Sequence, residues 1–426
     1  MRRLGLLCLG ALLAFPAVAR GDAVIDWNGY AQTAIFSTGP TAHASTLSFA
    51  MVHGAVYDAV NAIDRRHRPY LRVAPERRPA SQDAAAATAA FRVLAGLYPA
   101  QLQTLQANYV ASLAKIEPGE RRARGIAVGE RAAAAMLEAR ADDGRLTPGT
   151  PYPYPLGTEP GAWRVSPPAL PTAVEPAWWV GNVRPFIIPN ARWFATKGPN
   201  PLWSRAYARD FNEVKTLGAF ASPTRTADQT MAAIFWQAQP MQLYSGVAGI
   251  LSARYGLSTA ENARLFGKLM LGSADASIAC WNDKYRRLFW RPIDAIHLAD
   301  TDGNPATEAD PYWRPLFDPA TPTTPPLMTP SFPDHPSGHS CVSSAVVNVL
   351  QDFFHSDRVA FDVTSPRFPG QPRHFERFSD LLDEIIEARV WGGIHFRTAD
   401  VQGARLGEKV VRWQRWAAFQ PIHGRY

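Results

Sequence analysis

Apolar residues recur at three- and four-residue spacing along most of this chain, and little of it shows the two-residue alternation of a half-buried strand. That periodicity restricts the fold to packed helices. Leu47, Met51, Val52, Ala55, Val56, Val60 and Ile63 mark a helix over residues 46–64, in which His53 reads as a hydrogen-bonded packing residue. Helices over 81–97, 101–116 and 120–141 follow, rich in good helix formers and punctuated by Pro99 and Pro118-Gly119. Further helices are expected at 206–217 and 225–239. Ser258-Thr-Ala-Glu261 fits a capping box opening a long helix over 260–289, and 376–391 and 399–414 close the series.

Prolines divide these helices. Between residues 147 and 201 they are too frequent for long regular elements, beginning with Pro148, Pro151, Pro153 and Pro155. Trp163, Trp178, Trp179, Phe186 and Trp193 are interleaved, so the stretch reads as an ordered loop that wraps the body and walls a pocket. A second Pro-rich connection covers 306–330. The expected organisation is a leader over 1–19 and one helical domain over 20–426. That domain comprises N-terminal helices at 24–146, the wrapping loop at 147–205 and a catalytic bundle at 206–426.

The leader reading rests on Arg2 and Arg3, an apolar run from Leu4 to Phe15, and the small-x-small sequence Ala17-Val18-Ala19. It predicts a periplasmic or secreted protein with no membrane attachment after cleavage. The formal charge of +7 falls to +5 without the leader arginines. Arginines are scattered rather than clustered, which argues against nucleic acid as a partner. Cys280 and Cys341 remain, flanking two of the segments described next, and are either a disulfide or two buried thiols. A homo-oligomer is left open.

The chemistry concentrates in three places. Pro336-Ser337-Gly338-His339 runs from a loop stiffened by proline into an apolar helical stripe, Val342, Val346, Val349, Leu350 and Phe353. A helix N-terminus with free amides, a serine hydroxyl and a proton-shuttling imidazole suits a tetrahedral oxyanion. Upstream, Lys284 and Arg291 lie seven residues apart, two turns of the expected helix, with Pro292 ending it. Downstream, Arg389-Val-Trp-Gly-Gly-Ile-His395 adds a third cation and a second imidazole behind a Gly-Gly turn. Any one of these residues alone reads as surface charge or core histidine; five flanking a Ser-Gly turn read as a site.

Lys-x6-Arg-Pro, Pro-Ser-Gly-His and Arg-x5-His, in that order, resemble the three-part signature of the superfamily joining vanadium-dependent haloperoxidases to phosphatidic acid phosphatase-like enzymes. The stretch from Ala50 to Ile63, Gly157-Thr-Glu-Pro-Gly-Ala-Trp163 and Arg225-Thr-Ala-Asp-Gln-Thr look like its bacterial secreted haloperoxidase-like members, so the resemblance covers most of the mature chain. It implies an all-α fold of helical bundles with long Pro-rich loops.

Residue by residue, the resemblance makes His395 the axial ligand of vanadium. Lys284, Arg291 and Arg389 would neutralise the vanadate oxygens, with Ser337 and the Gly338 amide donating to them. His339 would be the acid–base, and His339, His395 and Lys284 the catalytic set. It implies vanadate as cofactor, hydrogen peroxide and halide as substrates, and a small organic acceptor. Phe332 corresponds to a halide-pocket position, and His335 and Trp290 are further candidates there. Phosphate fits the same shell, so the alternative is a phosphatase working through a phosphohistidine at His395. A non-catalytic oxyanion-binding member is the third reading. Two departures stand out: Ala388 replaces a frequent Ser, and the acid expected four residues after His395 is displaced to Asp400. Asp334 and Asp294 are candidate partners for a pocket arginine.

Overall fold

In the computed structural model, residues 22–146, 156–167 and 177–422 are described; the expected leader, parts of the Pro-rich loop and residues 423–426 lie outside them. Thirteen α-helices lie among the described residues. They are α1 (Ala23–Phe36), α2 (Ala42–Asp64), α3 (Gln82–Leu97), α4 (Leu102–Ala114), α5 (Glu120–Ala139), α6 (Arg205–Leu217) and α7 (Ala227–Phe235). Then come α8 (Pro240–Tyr255), α9 (Thr259–Arg287), α10 (Pro292–His297), α11 (Gly338–Phe354), α12 (Phe378–Trp391) and α13 (Arg397–Ala417). One small antiparallel hairpin pairs β1 (Phe361–Val363) with β2 (Arg373–Phe375). The all-α expectation therefore holds, and the hairpin is too short to give a period-2 signal.

Local chemistry sets many of the boundaries. The expected capping box opens α9: Ser258 Oγ accepts from the Glu261 amide, and the Glu261 carboxylate accepts from the Ser258 amide. Thr226 and Gln229 do the same for α7. The expected helix over 225–239 is shorter, because Pro240 starts a new one rather than closing the old. Proline lacks only an N–H that the first turn leaves unpaired anyway. Likewise α9 ends at Arg287, with Leu288 left-handed at φ 50°, and Arg291 is the extended residue before Pro292, which begins α10. Lys284 and Arg291 thus do not share one helix face, in contrast to what their seven-residue spacing suggests.

The 29-residue α9 is the axis of the fold. One side packs on α2, which in turn lies against α3 and α5; the other packs on α11 and α13. Ala84, Ala85, Ala86, Ala87, Ala89 and Ala90 of α3 are fully buried, and Gly125 and Gly129 of α5 leave no room for a Cβ against that surface. Small residues let these helices approach closely. His53 sits in this core with its ring 5.0 Å from that of Phe266 and its Nε2 3.1 Å from Asn28 Oδ1.

The wrapping loop is tied to α9 by carboxylates. Asp275 accepts from the amides of Phe186, Ile187 and Ile188, and Asp283 accepts from the Thr196 amide and hydroxyl. Its own Trp163 and Trp179 are buried. Its described part wraps the body but does not line the cavity below. Cys280 and Cys341 are both buried free thiols, and Cys280 Sγ donates to the Pro336 carbonyl at 3.5 Å.

Candidate active site

The three motifs meet at the N-terminus of α11. Ser337 is its N-cap residue; its side chain makes no capping bond, and its buried hydroxyl lies beside the Asp400 carboxyl. Gly338 is needed for packing: a Cβ there would come within 2.7 Å of the Trp281 ring. Gly393 has φ 74° and faces the backbone of Gly218 where a Cβ would be, so the turn before His395 requires glycine twice over.

Lys284 is fully buried, and all three of its N–H groups go to the loop leading into α11: to the carbonyls of Pro333 (2.8 Å), Asp334 (3.0 Å) and Pro336. Burial lowers its amine to about 8, Arg291 adding to that effect while Cys280 and Asp334 oppose it. Arg291 grips the same loop, its Nε donating to the Phe332 carbonyl at 2.8 Å and its Nη1 to the Ile394 carbonyl at 2.7 Å. Its Nη2 is buried with no partner. Arg389, at the end of α12, reaches Gln237 Oε1 with both Nη atoms at 3.3 Å, and its Nε is buried without a partner. Burial lowers both guanidiniums to about 10, so both stay charged at neutral pH.

His395 lies between an acid and a cation. Its Nδ1 is 2.7 Å from Asp334 Oδ1, and its Nε2 is 3.1 Å from Arg291 Nη1. A guanidinium can only donate, so Nε2 is the acceptor and Nδ1 carries the hydrogen given to Asp334. Burial drives the imidazole well below its ordinary pKa, with Arg291, Lys284 and Arg389 reinforcing this. Burial raises Asp334, and Arg291 and Lys284 pull it back. The ring is therefore neutral, with its Nε2 lone pair fixed in direction.

His339, in the first turn of α11, is also neutral. Burial depresses it, then Arg389, against a hydrogen bond from the ring to the Trp236 carbonyl. Its Nε2 has no partner and lines the cavity.

Asp400 does not touch His395. It accepts from Ser340 Oγ at 2.8 Å and lies beside the Ser337 hydroxyl, and burial lifts its carboxyl to about 7. The displaced acid thus braces the start of α11, and Asp334 orients the imidazole. Asp294 accepts instead from Ser166 Oγ, at 2.5 Å.

Part of this cluster faces a cavity of about 580 Å³, whereas Lys284, Arg291 and Ser337 lie behind its lining. His395, Arg389, His339 and Gly338 contribute to its lining, with Trp281, Phe332 and Val342 as apolar surface. The other two halide-pocket candidates lie elsewhere. His335 is buried with its Nε2 2.8 Å from Thr196 Oγ1, and burial lowers it to about 3. Trp290 is fully buried in a separate core with Tyr207, Phe211 and Ile293. Sequence reasoning missed three contributors. Gln237 lies on the link between α7 and α8, a place without a spacing signal. His43 and Thr46 line the cavity because α2 begins at Ala42, four residues before the expected start.

Buried, unpaired donors on Arg291 and Arg389, beside free helix amides and an imidazole lone pair, are the complement of an oxyanion. Among the described residues no group of three His, Cys, Asp or Glu side chains is placed to hold a metal ion. A metal carried as its oxyanion needs a different donor set: one nitrogen and several hydrogen bonds. The donors present fit vanadate in that sense.

Residues 264–423 match the family described as the VCPO second helical-bundle domain. The vanadium chloroperoxidase of Curvularia inaequalis is 25% identical over 231 residues, 42% of this chain and 37% of that protein, so the match spans well under half of its length. A crystal structure of a bacterial vanadium-dependent iodoperoxidase superposes with TM-score 0.75 at 23% identity, covering 94% of this chain and 96% of that one. An apo-type bacterial vanadium-dependent chloroperoxidase gives 0.67 at 18% identity, covering 86% and 91%. At such identities the superpositions establish the fold. The family match over residues 264–423, the chloroperoxidase and the superpositions together make the chain similar to vanadium haloperoxidases.

Proposed function

We propose that this chain is a vanadate-dependent haloperoxidase that oxidises a halide with hydrogen peroxide to hypohalous acid. The observation that carries the proposal is the convergence of His395 Nε2, whose lone pair accepts from Arg291 Nη1 in this structure and would turn to the ligand, with buried, unpaired N–H groups of Arg291 and Arg389 beside the N-terminus of α11. Bound vanadate supplies a Lewis-acidic centre that activates peroxide without changing its own oxidation state. His395 Nε2 is the nitrogen that would hold it, and the hydrogen bond of Nδ1 to Asp334 leaves that nitrogen deprotonated. Arg291, Arg389, Ser337 and the Gly338 amide would donate to its oxygens, and Lys284 would add positive charge from behind the loop. His339 Nε2, which has no partner, would take up and give back the peroxide proton. Phe332, at the cavity edge, excludes water beside the anion. The leader-like N-terminus supports a periplasmic or secreted location, and no helix among the described residues is long and apolar enough to cross a membrane.

The test is reconstitution of apoprotein with orthovanadate. Halogenation of monochlorodimedone with peroxide and at least one of iodide, bromide or chloride is the expected outcome. Hydrolysis of p-nitrophenyl phosphate without halide oxidation would replace the proposal with a phosphatase. Tight anion uptake with neither turnover would leave a binding protein.

A further inference from the structure

The helix α13 is apolar on two sides. One side, carrying Leu406, Val410 and Val411, is buried against α11 and α9. The other faces outward, where a helix on a folded body normally turns polar residues. Trp413 and Trp416 stand on it, and with the exposed Lys409 and Arg412 they take the i+4, i+7, i and i+3 places of one stripe. The turn at Ala191–Phe194 brings Trp193 alongside. The Trp413 ring is 6.3 Å from that of Trp193 and 5.2 Å from that of Trp416. Trp193 is 68% exposed and Trp416 72%. With Lys409 and Arg412, the three indoles line a surface depression of about 410 Å³. Indoles gathered on an exposed face mark an interaction site, unlike apolar residues scattered singly.

The charge around them is positive. Arg192, Arg405 and Lys409 are exposed and pair with no acid among the described residues. Glu408 is held by Arg412, and Asp352 by Arg415 and Lys268. A second copy docking here by two-fold symmetry would set one positive face against another. Cations interleaved with indoles suit a surface whose phosphates lie above its acyl chains. Indole rests at the headgroup level, and the long stems of Lys and Arg reach up to the phosphates.

We propose that this outer face of α13, with Trp193 beside it, is a docking surface for an anionic phospholipid bilayer. Trp193, Trp413 and Trp416 settle among the headgroups, and Arg192, Lys409 and Arg412 face the phosphates. No α13 residue lines the cavity, and Trp416 lies about 28 Å along the helix from Arg397, so docking leaves the cavity lining untouched. The proposal is independent of the haloperoxidase reading. It departs from the expectation of no attachment after leader cleavage, because a contact in the plane of the interface needs no spanning helix.

The test is co-sedimentation of the purified protein with vesicles of phosphatidylglycerol mixed into phosphatidylcholine, and with vesicles of phosphatidylcholine alone, at rising salt. Partition should be at least about tenfold stronger onto the anionic vesicles, since each cation near such a surface is worth about fivefold, and should fall as salt screens the charges. Lys409→Glu combined with Arg412→Glu should weaken partition at least about tenfold. Trp193→Ala combined with Trp416→Ala should weaken it about tenfold by removing apolar area. Both variants alter exposed side chains, and thermal melts matching the parent's show that they fold. Acyl chains carrying bromine should quench part of the parent's tryptophan emission, a readout that needs no variant. Equal partition onto both kinds of vesicle, no partition onto the anionic ones, or variants that partition like the parent would overturn the proposal. So would a dimer in sedimentation equilibrium that the tryptophan variant dissolves, which would give this face to a second copy of the chain.

Discussion

The Asp334 carboxylate accepts the Nδ1 hydrogen of His395 at 2.7 Å, both groups being almost wholly shielded from solvent. The acid comes from the loop before α11 and the imidazole from the turn after α12, so one bond ties two of the three motifs together. Asp334→Asn removes the acceptor charge and releases the tautomer. Vanadate retention should fall by about 10- to 100-fold, measured by titrating apoprotein with orthovanadate. Unchanged affinity would mean that the backbone alone aims the ring.

The two histidines should separate in their effects. His395→Ala removes the proposed nitrogen ligand and should abolish vanadate retention. His339→Ala should keep the anion and lower kcat by about 10²–10⁴, the usual worth of a general acid–base. Metal analysis after gel filtration, run beside halogenation kinetics, distinguishes the two. Tight retention by the His395 variant would remove it from the coordination sphere.

Lys284 and Arg389 should also differ. The ammonium of Lys284 satisfies three carbonyls of the loop, whereas Arg389 spends its N–H groups on one side-chain oxygen. Lys284→Met should therefore cost about 2–4 kcal/mol of stability, since bonds to a buried charge are worth more than neutral ones and three carbonyls are left unpaired. Arg389→Gln should leave the melting temperature nearer that of the parent and weaken anion binding. Thermal melts of the two apoproteins give the comparison.

A pH effect is expected away from the site. Burial raises Asp58 to about 8, although the amides of Tyr70 and Leu71 donate to it and oppose the rise. The folded chain then keeps a proton that the unfolded chain releases near pH 4, so stability falls as pH rises from about 4 to about 8. Between pH 5 and 8 the parent should lose at least about 1 kcal/mol more than Asp58→Asn, a tenfold change in proton affinity being worth about 1.4 kcal/mol. Urea unfolding at the two pH values measures it, and parallel slopes would show that the two amides hold the carboxyl ionised.

Sequence reading reached as far as local physics reaches. The Ser258–Glu261 capping box, the Ser-Gly start of α11 and the glycine turn before His395 are short-range features, and the structure has all three. Pro240 is misleading because a proline that opens a helix looks the same as one that ends it. Arg291 reaches the site from an extended residue after a left-handed break at Leu288, a turn that no periodicity announces. His335 and Asp334 are neighbours in sequence, yet one faces Thr196 and the other His395. Which way each points depends on how residues 332–336 fold back onto Lys284 and Arg291, and that is a tertiary fact.

The amine of Lys284 has no hydrogen left to offer a newcomer. For it to touch an arriving oxyanion directly, it must release a carbonyl of the 333–336 turn, so filling the site and loosening that turn become one event. Amide exchange along this short piece of backbone would then register occupancy without any halide or peroxide being present.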